Sequence, residues 1–146
     1  MIEVKVVRVV SVEDHPHPEA GHLTVNTLSN GARCISNRKE DDSARYQEGD
    51  LVVHVPERSI VPEWLLKRQD CWDDDKGKGT LGGSKGNRVK SRNVKGIVSE
   101  GMLVAGIQTT DDDVPAIVVQ DNSGNSIGFH QGDDLKDFLG IHEWEG

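Results

Sequence analysis

Apolar positions along this chain fall in short runs with the two-residue period of strands, and nowhere in a long helical stripe. Ile2 to Val12 (IEVKVVRVVSV) sets β-branched residues against Glu3, Lys5 and Arg8, which predicts a long strand with one wet face. Pro16, Pro18 and Gly21 stop that ladder and impose a turn, after which His22 to Leu28 (HLTVNTL) resumes the alternation. Asn30-Gly31 suits a tight hairpin turn, so Ala32 to Ser36 is expected to run back as a third strand. The polar run from Asn37 to Asp50 reads as a loop with one helical turn at most, and Leu51 to Val55 (LVVHV) as a buried strand.

Pro56 ends that strand. SIVPEWLLKRQ then has the grammar of a short helix, with Pro62 at an early position, Glu63 in the first turn, and Trp64, Leu65 and Leu66 as apolar cover. Asp70 to Gly86 has no periodicity and mixes Gly with charges of both signs, which predicts a mobile basic, Gly-rich loop over 70–87 that a ligand would order. Gly101 to Ile107 is a core strand by composition, and AIVVQDNSGNSIGF reads as two short strands across a turn. Asp133 to Leu139 predicts a final amphipathic turn or two of helix, stopped by Gly140.

A chain of 146 residues, about a third of them apolar, can bury one modest core, so 1–146 is expected to be a single domain. Many short strands with little helix predict an all-β fold: a five-stranded OB-type β-barrel with one short inserted helix and a C-terminal helical turn, a β-sandwich being the alternative. No apolar run is long enough for a membrane span, and the N-terminus lacks the apolar core of a signal peptide, so a cytoplasmic protein is expected. Cys34 and Cys71 have no CxxC spacing and read as free thiols.

Charge changes the picture. The net charge is −8, yet from Lys76 to Lys95 there are seven cations (Lys76, Lys78, Lys85, Arg88, Lys90, Arg92, Lys95) and no acid, leaving −15 on the remainder. Such a strip on an acidic chain reads as a surface for a polyanion, with Lys78, Lys85, Arg88, Lys90, Arg92 and Lys95 as candidate nucleic-acid contacts. In an extended chain Arg88, Lys90 and Arg92 point to one side. The alternative is a flexible loop whose cations pair with the chain's own carboxylates.

Pro56-Glu57, Val61-Pro62-Glu63-Trp64-Leu65, Arg88-Val89-Lys90, Arg92 through Gly96, Ser99-Glu100-Gly101-Met102 and Leu139-Gly140-Ile141 through Trp144-Glu145 come in an order that resembles the N-terminal OB module of a group of ATP-dependent RNA ligases. A weaker resemblance, in HPHPEAGHLTV and SEGML, is to the tRNA-binding OB domains appended to some aminoacyl-tRNA synthetases. Both imply an OB barrel with an RNA ligand. The first implies single-stranded or nicked RNA ends as partner, together with a ligase catalytic domain in cis or in trans. RNA ligases of this group attach AMP to a lysine in Lys-x-(Asp/His)-Gly, and the chain contains no such motif, ending where the catalytic domain would start. No catalytic residue is therefore assigned, and ATP and Mg²⁺ are expected only in a linked catalytic domain.

Other constellations are weaker. His15, His17 and His22 lack a Cys or carboxylate to complete a metal set, and consecutive Asp side chains at Asp73 to Asp75 and Asp111 to Asp113 diverge, so no metal site is assigned. Gly82 to Gly86 resembles a phosphate loop without its spacing, and Ser99 lacks a nucleophile elbow. Trp64 reads as a cap on the core and Trp72 as a freer ring that could stack on a base. Three functions remain open: an RNA-ligase OB module, an autonomous tRNA-binding-type protein, and a protein-interaction barrel.

Overall fold

The computed structural model describes residues 1–146. In chain order its elements are β1 (Lys5–Asp14), β2 (Leu23–Leu28), β3 (Arg33–Asn37), β4 (Leu51–Val55), β5 (Ser59–Ile60), α1 (Glu63–Arg68), β6 (Trp72–Asp73), β7 (Lys78–Gly79), β8 (Arg92–Val94), β9 (Ile97–Ser99), β10 (Met102–Val104), β11 (Ile107–Asp111), β12 (Val114–Gln120), β13 (Ser126–Phe129), α2 (Lys136–Leu139) and β14 (His142–Glu143). Neither helix is long and apolar enough to cross a membrane.

A bulge in β1 sets the architecture. Residues Lys5 to Arg8 pair with β4, the register shifts between Val9 and Ser11, and the rest of the strand pairs with β2. Bulges bend a strand and raise its twist, so one long β-branched segment serves two halves of a curled sheet. The strand order β10-β4-β1-β2-β3 makes a nearly closed five-stranded barrel of the OB type. Asn30-Gly31 turns β2 into β3 as expected: Gly31 sits at φ 88°, and the Asn30 side-chain oxygen accepts the Ala32 N–H at 3.1 Å.

All five residues of β4 are buried because it lies between two cores. Leu51, Val53 and Val55 face an outer core with Val4, Val6, Leu65, Leu66, Ile117 and Leu139. Val52 faces the barrel interior with Val7, Val9, Leu28, Cys34 and Tyr46. The outer core is covered by α1, by the turn at α2 and by a second sheet, β11-β12-β13. Gln108 fixes that sheet to the barrel. Its side-chain carbonyl accepts the Leu51 N–H at 2.8 Å and its amide donates to the Leu51 carbonyl at 2.7 Å, so one side chain supplies the two bonds a neighbouring strand would.

Helix α1 begins after Pro62, carries a Glu63–Lys67 pair at 3.0 Å, and stops where Asp70 turns at φ 56°. Gly140, left-handed at φ 70°, ends α2. Gly101 to Ile107, expected as one core strand, is broken: β10 ends at Val104, and β11 starts at Ile107, which is 71% exposed. The reason is Gly106, whose hydrogen-only side chain lets the backbone pass against Val118 O and the Ile117 side chain as it crosses between sheets. Asp112 and Asp113 make the two-residue turn joining β11 to β12, both at positive φ (50° and 65°), a conformation Asp tolerates better than most residues.

Candidate nucleic-acid interface

The stretch from Asp70 to Gly86 folds as a small ribbon, in which Trp72 pairs with Gly79 and Asp73 with Lys78. It returns on itself where Gly79 and Gly86 touch backbone to backbone, a contact with no room for a Cβ on either residue. Bonds from Gly79 N–H to Lys85 O (3.0 Å) and Leu81 N–H to Gly86 O (2.9 Å) close it. Lys76, Lys78 and Lys85 project from this ribbon and are exposed.

Beyond the ribbon the chain crosses the barrel. Arg88 makes single bridges to Gly82 and Ile60, and regular pairing resumes only in the β8–β9 hairpin, whose turn is Lys95-Gly96 at φ 52° and 92°. That hairpin is held at both ends: the His15 ring bonds the Val94 carbonyl (2.8 Å), and Ser99 and Glu100 dock on β3. Ile35 N–H donates to Ser99 Oγ at 2.9 Å, and Glu100 N–H donates to Arg33 O at 2.7 Å. His54, buried under the same corner, accepts from the Asn30 amide (3.0 Å) and therefore donates through Nε2 to Glu100 O (2.7 Å).

Between β3, β10 and the crossing segment lies a cleft of about 600 Å³. Its buried floor includes Cys34, Tyr46 and Val89, its walls are half-buried Ile35, Met102 and Leu103, and exposed Arg45, Lys90 and Arg92 stand at its edge with Asp70 as the sole carboxylate. Lys90 reaches the edge by laying its stem over Gly82, a path that any Cβ there would block. Burial pushes the Cys34 thiol up to about 12, with the Glu100 carboxylate adding to the rise and a backbone hydrogen bond at Glu100 opposing it. Burial likewise raises the Cys71 thiol and the Tyr46 phenol. These are inert, protonated groups, and no three His, Cys, Asp or Glu side chains converge as a metal-ligand set.

The expected single face of Arg88, Lys90 and Arg92 divides. Lys90 and Arg92 line the cleft, whereas the Arg88 guanidinium lies 3.9 Å from the centre of the Trp144 ring, which also takes Arg58 at 5.1 Å. The segment is not a continuous strand at Arg88, so alternation does not carry through it. Val98 is 40% exposed on the hairpin. Trp64 packs on the outer core as expected, with Arg68 over its ring at 4.8 Å, while Trp72 is half-buried against the same core with Lys67 at 5.2 Å. Arg45 and Tyr46 also line the cleft, from a polar run whose one distinguishing signal is the chain's single tyrosine among charges.

Of the seven cations of the strip, Lys95 alone forms an ion pair, with Glu19 at 3.3 Å. Lys76, Lys78, Lys85, Arg88, Lys90 and Arg92 meet no carboxylate within 4.0 Å. On this point the structure disfavours the reading in which the strip neutralises the chain's own acids.

No protein-family model matches the sequence, and no curated protein matches it by sequence comparison. Solved structures do match the fold. An RNA ligase of Naegleria gruberi, in a lysine-to-alanine form with ATP and manganese, superposes with a TM-score of 0.59 at 18% identity over 99% of this chain and 36% of its own. The same ligase with pyrophosphate gives a TM-score of 0.56 at 18% identity over 100% of this chain and 36% of that one. The chain thus has the fold of an OB-like module that makes up about a third of those ligase chains.

Proposed function

We propose that this chain is the RNA-binding OB module of an RNA ligase, holding RNA ends for a separate nucleotidyltransferase domain in cis or in trans. The observation that carries the reading is the strip of six cations that meet no carboxylate of the chain, beside an open cleft, on a chain of net charge −8. Phosphates would supply the missing counter-charge, releasing condensed cations from the RNA on binding. The fold likeness to RNA ligase chains supports the choice of RNA and of a ligase partner. The candidate RNA contacts are Lys78, Lys85, Arg88, Lys90, Arg92 and Lys95, with Arg45 beside them, and we assign the main contacts to those not already engaged within the chain. Among them Lys90, Arg92 and Arg45 lie at the cleft, Lys78 and Lys85 extend the path along the ribbon, and Arg88 and Lys95 are already engaged, by Trp144 and Glu19.

Nucleotide transfer is assigned to the partner domain, because Lys76-Gly77-Lys78-Gly79 and Val94-Lys95-Gly96 lack the carboxylate or imidazole of a nucleotidyl-lysine motif. ATP and Mg²⁺ act there, and this chain incubated with radiolabelled ATP and Mg²⁺ acquires no covalent AMP. Fluorescence anisotropy with labelled single-stranded RNA over stepped KCl tests the binding. With roughly three to five phosphate contacts, log K falls against log [salt] with a slope of about −2 to −3.5. Affinity that ignores salt, or no binding at low salt, overturns the proposal.

A further inference from the structure

Resting on that reading, we propose that the cleft between β3 and β10 receives one unstacked nucleotide of the bound strand, its base enclosed and its phosphate at the edge. A surface that only tracked a phosphate backbone would need cations and no cavity. Here the barrel is incomplete at one place: β3 and β10 are the two ends of the strand order and do not pair. The bonds from Glu100 to Arg33 and from Ile35 to Ser99 close only the start of that seam, and beyond them it widens into the cleft. A volume of about 600 Å³ falls within the roughly 300–1,000 Å³ of small-molecule sites.

The chemistry of the walls changes with depth in the order a nucleotide requires. Cys34, Tyr46 and Val89 are buried, Ile35, Met102 and Leu103 are half-buried, and Arg45, Lys90 and Arg92 are exposed. Apolar walls suit the faces of a base, and a cationic edge suits its phosphate. The two guanidiniums are only lightly committed. Arg45 Nε donates to Asn37 O at 3.3 Å and Arg92 Nη2 to Thr80 O at 3.4 Å, which leaves most of their five N–H donors for phosphate oxygens. Tyr46 is the sole aromatic residue in the lining, and it is buried. The base is therefore gripped between aliphatic walls, with the side-chain amides of Asn37 and Gln69 at hand for its polar edge, and not sandwiched between rings as on many single-strand platforms.

The test uses the full chain and short single-stranded oligoribonucleotides carrying 2-aminopurine at one position at a time, since that base brightens when it leaves the stack. One position brightens several-fold on binding and the others change little. Ala105→Trp, at an exposed position lining the cleft, abolishes the brightening and lowers affinity about tenfold with the melting temperature unchanged. Thr80→Trp, also exposed and lining the cleft, repeats the measurement should Ala105→Trp fail to fold. Salt-dependent binding without any position-specific brightening, unaffected by either tryptophan, overturns the nucleotide pocket and leaves the RNA-binding module standing. No binding to any oligonucleotide at low salt overturns both.

Discussion

The two apolar cores of this chain differ in size and in closure. The outer one gathers 16 buried residues beneath α1, the second sheet and the α2 turn, and meets the cleft only at its edge, through Val89 and the half-buried Cys71, Leu81 and Met102 packed against it. The inner one has six and opens through the β3–β10 seam onto the cleft. Strand β4 contributes to both, so the same run of valines supports a stabilising layer and the floor of a candidate site. More buried apolar side chains lie outside the barrel than inside it, and the smaller interior core supplies Cys34 and Tyr46 to the cleft floor.

Substitutions in the two cores sharpen that contrast. Leu139→Ala, in the outer core and fully buried, lowers unfolding free energy by about 2–5 kcal/mol in urea titrations. Leu103→Ala, half-buried at the cleft, costs only about 1 kcal/mol, because much of that side chain is already in water. Equal losses at the two positions would erase the distinction.

The junction between the cores is the next place to press. Gln108→Ala strips the two side-chain bonds from the Leu51 backbone and costs about 1–3 kcal/mol, read as a fall in urea midpoint. A neutral outcome would mean that water replaces Gln108 freely and that the second sheet is not fastened there.

The inner core also leaves a signature in pH. Cys34 is held protonated in the folded chain, its pKa raised from 9.0 to about 12, chiefly by burial. The unfolded chain loses that proton first, so the contribution is constant below pH 9 and stability falls as pH rises from there toward 12. The slope is at most about 1.4 kcal/mol per pH unit, and Cys34→Ala flattens it. Arg88→Ala has the smallest effect, about 0.5–1 kcal/mol from the lost contact with Trp144, measurable as a slight drop in melting temperature.

Much of the barrel was legible in the sequence because its signals are local. Leu51 to Val55, the Asn30-Gly31 turn, Pro62 before α1 and Gly140 after α2 each dictate their conformation from within a few residues. The second sheet was read in part: β12 and β13 show in their β-branched run and turn, whereas β11, every residue of it exposed, offers no apolar pattern to find. The site was legible as charge but not as shape. Lys90 and Arg92 could be picked from composition; that Arg88 leaves them for Trp144, 56 residues downstream by its number, depends on a long-range contact. Arg45 and Tyr46 reach the cleft from the loop that follows β3, where Arg45 Nε donates to Asn37 O, and no periodicity in that polar run marks the fold-back.

The most direct test of the central claim compares the two parts of the cationic strip in one binding assay. Labelled single-stranded RNA is titrated by the wild-type chain, by Lys90→Ala with Arg92→Ala, and by Arg88→Ala, at several KCl concentrations. The cleft pair loses about tenfold in affinity and its salt slope shallows by roughly 1.4, two phosphate contacts at about 0.7 each, while Arg88→Ala stays within about twofold of wild type. Wild-type affinity and slope in the Lys90 and Arg92 double variant would contradict the central claim.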